Sequence, residues 1–195
     1  LCLAVYAAML TRWAHGTSVI IGSPTAGRTR PEFGGVVGYF VEPLAVRLSI
    51  DPQETWRQAF ADTRHAALDT LAHRDFPFAR LVEMLRVERD AGRSPLFDVT
   101  FNYVSRRLAD SAIAGDAHGS DVEAFDISQA AGKFDVTLNV LEDERAMSLV
   151  LSYRTSLFDR AKIETLLDWL VQALTRAAAD PTATIDALAL GDDAQ

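Results

Sequence analysis

Four histidines, one cysteine and 27 acidic side chains are the groups from which catalysis could be built in this 195-residue chain. His65 and Asp69 have the one suggestive spacing: at i and i+4 of a helix, a carboxylate can orient an imidazole on the same face. No nucleophile or metal partner accompanies them in the sequence, so they read as a solvated helix pair. His15 falls at a predicted helix end, where an imidazole suits the dipole, and His118 falls in a loop. Cys2 alone forms no internal disulfide and no cysteine-based zinc cluster. Gly-x-Ser-x-Gly, Gly-x-x-x-x-Gly-Lys and His-Glu-x-x-His are all missing from the sequence. Gly34-Gly35-Val36-Val37-Gly38 leads into a strand-like run rather than a helix, which excludes a dinucleotide-binding turn.

Composition narrows the class. Hydrophobic residues make up 49% and charged residues 24%, enough for a packed core in one domain or one lobe. The net charge of -8 argues against binding a phosphate backbone, so no nucleic-acid partner is expected. The apolar opening Leu1–Leu10 is too short for a membrane span, which needs about 20 residues, and lacks the basic start of a signal peptide. It reads as a buried helix that begins mid-protein, in a chain that is a piece of something longer. No membrane partner and a cytoplasmic, reducing setting are expected.

These groups must be carried by a small set of elements. Residues 1–15 read as a helix stopped by Gly16, and Ser18–Gly22 as a short strand. Residues 44–50 alternate as a half-buried strand. Asp51-Pro52-Gln53-Glu54 reads as the start of a helix to about Ala72, with Asp51 capping it. Phe78, Leu81, Val82 and Leu85 mark a second helix. Three alternating strands follow, at 97–103, 134–140 and 147–153, the last two joined as a hairpin. Residues 105–121 read as a long surface loop. Asp159 caps a final helix to Ala179, and Ile185–Leu190 reads as an edge segment. The hexapeptides Phe97–Asn102 and Phe134–Asn139 are nearly the same, as two similar half-buried strands would be. The fold class is α/β (α+β), a mixed β-sheet with packed helices.

Five stretches carry a resemblance. Val37-Gly38-Tyr39-Phe40-Val41-Glu42-Pro43-Leu44-Ala45-Val46-Arg47 resembles the VGxFVNTLxxR motif of condensation domains of nonribosomal peptide synthetases. His73-Arg74-Asp75-Phe76-Pro77-Phe78 resembles that family's HQDYPFE, and the run from Arg89 and Asp90 through Arg93 to Pro95 and Leu96 resembles its RDxSRNPL. Ile21–Arg28 and Tyr153–Phe158 are similar to two further family stretches, in the same order along the chain.

The resemblance implies one chloramphenicol-acetyltransferase-like lobe: the C-terminal lobe of a condensation domain over 1–190, with 191–195 a tail or linker. In that family, an acceptor aminoacyl thioester attacks a donor acyl thioester and an amide bond forms. No cofactor is bound directly, because both substrates ride on phosphopantetheine arms. The implied partners are the N-terminal lobe and the upstream donor and downstream acceptor carrier domains. The catalytic HHxxxDG belongs to the N-terminal lobe, and His65–Asp69 only imitates its spacing, so this chain alone is expected to be inactive. Gly38, Tyr39, Phe40, Glu42 and Arg47 would line the substrate tunnel, with Glu42 where the family usually carries Asn and Pro43 where it carries Thr. Arg28, His73, Asp75, Pro77, Phe78, Arg89, Asp90, Arg93 and Pro95 would be structural: Asp75 capping the second helix with Pro77 at its start, and Arg89, Asp90 and Arg93 in ion pairs. Gly38 would permit a close backbone approach or an unusual torsion. Competing readings are a non-catalytic module that recruits a partner protein, an epimerisation domain, and a free-standing acyltransferase of the same superfamily.

Overall fold

A computed structural model describes residues 1–28, 30–87, 93–105 and 133–187. In chain order they form α1 (Cys2–Trp13), β1 (Ser18–Thr25), a 3-10 turn (Pro31–Phe33), β2 (Glu42–Ser49), α2 (Trp56–Ala72), α3 (Phe78–Leu85), β3 (Val99–Ser105), β4 (Val136–Glu142), β5 (Met147–Tyr153) and α4 (Arg160–Ala179). The strands make one mixed sheet in the order β2-β1-β3-β4-β5. The β1–β3 and β3–β4 pairs are parallel, and the outer pairs β1–β2 and β4–β5 are antiparallel. This is the mixed α/β architecture expected from the element order.

The two like hexapeptides are neighbours. Val99 pairs with Val136, Thr100 with Thr137, Phe101 with Leu138 and Asn102 with Asn139. Alternation sends Phe101, Leu138 and Val140 to one face, where they join α1, α2 and α4 in a single core with Tyr6, Met9, Trp56 and Leu170. Leu138 and Val140 are fully buried there, each contributing on the order of 2 kcal/mol. Residues Ala4 to Thr11 of α1 are buried without interruption, as expected of a helix apolar on all sides. The opposite sheet face is polar: the hydroxyls of Thr100 and Thr137 lie 2.8 Å apart, and Asn102 Nδ2 donates to Asn139 Oδ1 at 3.3 Å.

Several boundaries differ from expectation. α2 begins at Trp56, not near Asp51: Thr55 is the N-cap, in a capping box with Gln58. The reason is tertiary. Trp56 N–H donates to the Ala183 carbonyl and Ile185 N–H to the Glu54 carbonyl, which keeps Thr55 extended in a bridge with Thr184. Asp51 instead caps a local turn, its carboxylate accepting from Gln53 N–H at 2.9 Å. At the end of α1, His15 takes the left-handed conformation (φ 51°), a role expected of Gly16. α3 has Pro77 at its N-cap and no side-chain cap, so Asp75 does not cap it. Asp159 occupies the N-cap of α4, likewise without a side-chain bond. β1 continues through Pro24 to Thr25, β2 starts at Glu42 rather than at residue 44 and ends at Ser49, β3 and β4 each begin and end two residues later than the expected strands, and β5 falls on 147–153 as expected. His118, most of the 105–121 loop, residues 188–190 of the edge segment and the 191–195 tail lie outside the described residues.

Gly22 carries a precise packing requirement. The Phe97 ring lies where its Cβ would be, and that ring also packs on Phe78 and Phe134, each at 5.6 Å between centroids. Gly22→Ala should therefore cost about 2 kcal/mol by overpacking. Denaturant unfolding should show a lower midpoint at unchanged slope, and the penalty should shrink in a Phe97→Ala background.

Candidate functional site

Residues 26–41 leave the sheet where the β1–β2 pairing ends at Thr25 and Glu42. Left to itself, a run this rich in glycine and valine would sample many conformations. Three contacts fix it. Gly27 is left-handed (φ 60°) and sits so close to the Phe40 carbonyl that no Cβ fits. The Arg28 guanidinium donates to the Phe33 carbonyl and lies 4.3 Å from the centroid of the Phe40 ring. The rings of Phe33 and Phe40 pack at 5.7 Å. The 3-10 turn closes the base, with Gly34 N–H donating to the Pro31 carbonyl at 3.0 Å. What these supports present is apolar: Val37 is 100% exposed and Tyr39 89%, with Val36 and Val41 also exposed beside them. Gly38 gives close approach and not a left-handed torsion, since an added Cβ would lie 3.1 Å from Phe40 Cε2.

The five residues expected to line one surface are only partly together. Gly38, Tyr39, Phe40 and Glu42 are consecutive or nearly so, and Glu42 opens β2 beside Gly27. Arg47 is opposite Ile20, about 16 Å further along the strand, with its side chain exposed on the face opposite the core.

The other motif residues form two supports. At the α2–α3 corner, His73 is the C-cap of α2; its Nδ1 lies 2.8 Å from the Asp69 carbonyl and 3.7 Å from the Asp69 carboxylate. Asp69 thus pairs with His73, and His65 is exposed on another part of the helix. Pro77 starts α3 and Phe78 stacks on Phe97, while Asp75 is exposed. At the entrance to β3 and β4, Arg93 Nη2 contacts Asp98 Oδ2 at 3.0 Å and Asp135 Oδ2 at 3.7 Å, and Arg154 Nη1 contacts Asp135 Oδ1 at 3.2 Å. Backbone bonds reinforce the cluster: Asp135 N–H donates to the Asp98 carbonyl, and Arg154 N–H to the Asp135 carbonyl. Pro95 is half-buried between Arg93 and Phe97, and Arg89 and Asp90 lie outside the described residues.

Asp98, Asp135, Arg154 and Phe33 were not picked out from the sequence. The signal for the two aspartates was present, since each occupies the second position of its hexapeptide. Among the described residues no three His, Cys, Asp or Glu side chains are placed to hold a metal ion, and no helix is long and apolar enough to cross a membrane. The pKa of Tyr103 is pushed up to about 12, first by its hydrogen bond with Glu142, and the side chain is exposed.

The family model for the condensation domain matches residues 1–195. Surfactin synthase subunit 1 of Bacillus subtilis (strain 168) is 34% identical over 92% of this chain, which spans 5% of that protein. Tyrocidine synthase 3 of Brevibacillus parabrevis is likewise 34% identical over 92% of the chain, which spans 3% of it. Among solved structures, a holo four-domain nonribosomal peptide synthetase bound to AMP and glycine matches at a TM-score of 0.85 and 23% identity, over 98% of this chain and 15% of that one. The X-domain from teicoplanin biosynthesis, in complex with OxyB, matches at 0.82 and 22% identity, over 98% of this chain and 42% of that one.

The charge cluster separates buried from surface ion pairs. Asp135 is 8% exposed and faces two arginines, so Asp135→Ala should cost about 2 kcal/mol, chiefly through its lost charge-assisted contact with Arg154, since Arg93 keeps Asp98. Glu83→Ala, which breaks the exposed pair with Arg80, should cost less than about 0.5 kcal/mol. Thermal unfolding of the two variants side by side checks the contrast.

Proposed function

The chain belongs to the condensation-domain family, and from that premise we propose that it is the C-terminal lobe of a two-lobed domain that joins carrier-bound substrates through an amide bond. The amine of an aminoacyl thioester attacks the carbonyl carbon of a donor thioester. The C–N bond forms, the C–S bond breaks, and the amine proton ends on the released thiol. Both substrates reach the site on phosphopantetheine arms of carrier domains, which act as substrate handles. The group that orients or deprotonates the amine belongs to the preceding lobe. This lobe supplies one wall of the tunnel, and the wall is the segment Gly38–Glu42.

The observation that carries this reading is the exposed run Val36–Val41. A monomeric surface gains nothing from placing Val37 and Tyr39 in water on a segment fixed by Gly27, Arg28 and Phe33. A wall of a tunnel closed by a second lobe gains burial and proximity from it. A second reading, a partner-recruiting module without catalysis, is favoured by the match to an X-domain seen in complex with OxyB.

The test compares the chain alone with the two-lobed protein, each supplied with loaded donor and acceptor carrier domains. The two-lobed protein should form the amide and the isolated chain should form none. Product from the isolated chain would remove the requirement for a second wall. No product from a folded two-lobed protein would favour the recruiting module.

A further inference from the structure

We propose that Arg28 is a positioning residue for the tunnel wall, acting through Phe40 and not by touching substrate; this rests on the reading of Gly38–Glu42 given above. Among the described residues Arg28 makes no ion pair, although the chain carries an excess of carboxylates. Its guanidinium instead does two things at once: it covers the face of Phe40 and donates to the Phe33 carbonyl. A planar, delocalised cation suits this pair of tasks, because it stacks through its face and donates through its edge. Phe33 packs on the same ring, and Gly27 seats the Phe40 carbonyl against the backbone. Phe40 is thus gripped by ring and by main chain. Tyr39 and Val41, its chain neighbours, inherit their positions from it, between Phe40 and the β2 ladder that begins at Glu42. Val37 has no cover, and besides the Val36 N–H bond to the Phe33 carbonyl little else in the described structure holds the tip.

Removing the grip should therefore loosen Gly34–Val41 while the sheet stays intact, since Arg28 lies outside the core. The wall would then be present but misplaced, and a misplaced wall lowers the rate of the chemical step more than it weakens carrier binding.

The test uses the two-lobed protein with loaded carrier domains and reads two quantities. In Arg28→Ala, hydrogen exchange at the Gly34 and Val36 amides, which donate to the Pro31 and Phe33 carbonyls, should rise about tenfold, with exchange in β3 and β4 unchanged. The same variant should lose about tenfold in kcat with KM for the carrier substrates within about twofold. Arg28→Lys, which keeps the charge but not the planar fork, should fall between it and the parent. In a Phe40→Leu background, adding Arg28→Ala should change kcat no further, because the ring through which it acts is gone. Unchanged exchange in Arg28→Ala would overturn the proposal at the level of structure. Raised exchange with full activity would overturn it at the level of function, as would fully additive losses in the double variant. A parent protein that forms no amide would sink the tunnel-wall reading and this proposal with it, an outcome distinct from an active parent indifferent to Arg28.

Discussion

Parallel pairing of β3 with β4 sets like residue types against one another along their first four pairs, and the sheet is arranged around what that pairing demands. Like apolar groups side by side are favourable, and Val99, Phe101 and their partners feed the core directly. Like hydroxyls and amides can hydrogen-bond, as the Thr100–Thr137 and Asn102–Asn139 pairs do. Like carboxylates repel. Register places Asp98 and Asp135 together at the strand entrance, and Asp135 is buried, so cations are required there. Arg93 bridges both carboxylates from the segment that leads into β3, and Arg154 takes the second oxygen of Asp135 from the end of β5. The ion cluster follows from the register, and it ties the centre of the sheet to one edge.

The excursion over residues 26–41 solves the opposite problem. Its described residues have no ladder to hold them and join no core cluster, yet they are placed by a small set of contacts centred on one ring. A cation over an aromatic face and a glycine without room for a Cβ are local devices that need no sheet. They let the backbone hold apolar side chains outward, an arrangement unfavourable for a free surface and useful for one that meets a second body. The family match gives that arrangement its context.

Much of the fold was legible because period and burial agree in this sequence. The alternation along β2, β4 and β5 and the apolar stripe of α4 read directly onto the observed elements. The start of α2 was not legible, because the bonds that hold Thr55 extended come from residues 183–185, far along the chain. Asp75 failed as a cap for a local reason: Pro77 occupies the N-cap and offers no side-chain acceptor. Arg93 was read as an ion-pair residue from the sequence, and its contacts Asp98 and Asp135 immediately precede β3 and β4, so they could be named only once the register was known. At the candidate site, the segment 38–42 was found through motif resemblance, whereas the grip of Arg28 on Phe40 joins positions whose spacing matches no helix or strand period.

The turn after α4 acts as a clasp. Pro181, Ala183, Ile185 and Asp186 are all bonded to residues 52–57, so the segment that follows α4 is pinned beside the start of α2. Two stretches far apart in sequence thus close on one another through main-chain bonds. Helix ends ordinarily fray one at a time. Here the end of α4 and the start of α2 share their hydrogen bonds, so the two must loosen together, and local opening at either becomes a single cooperative event.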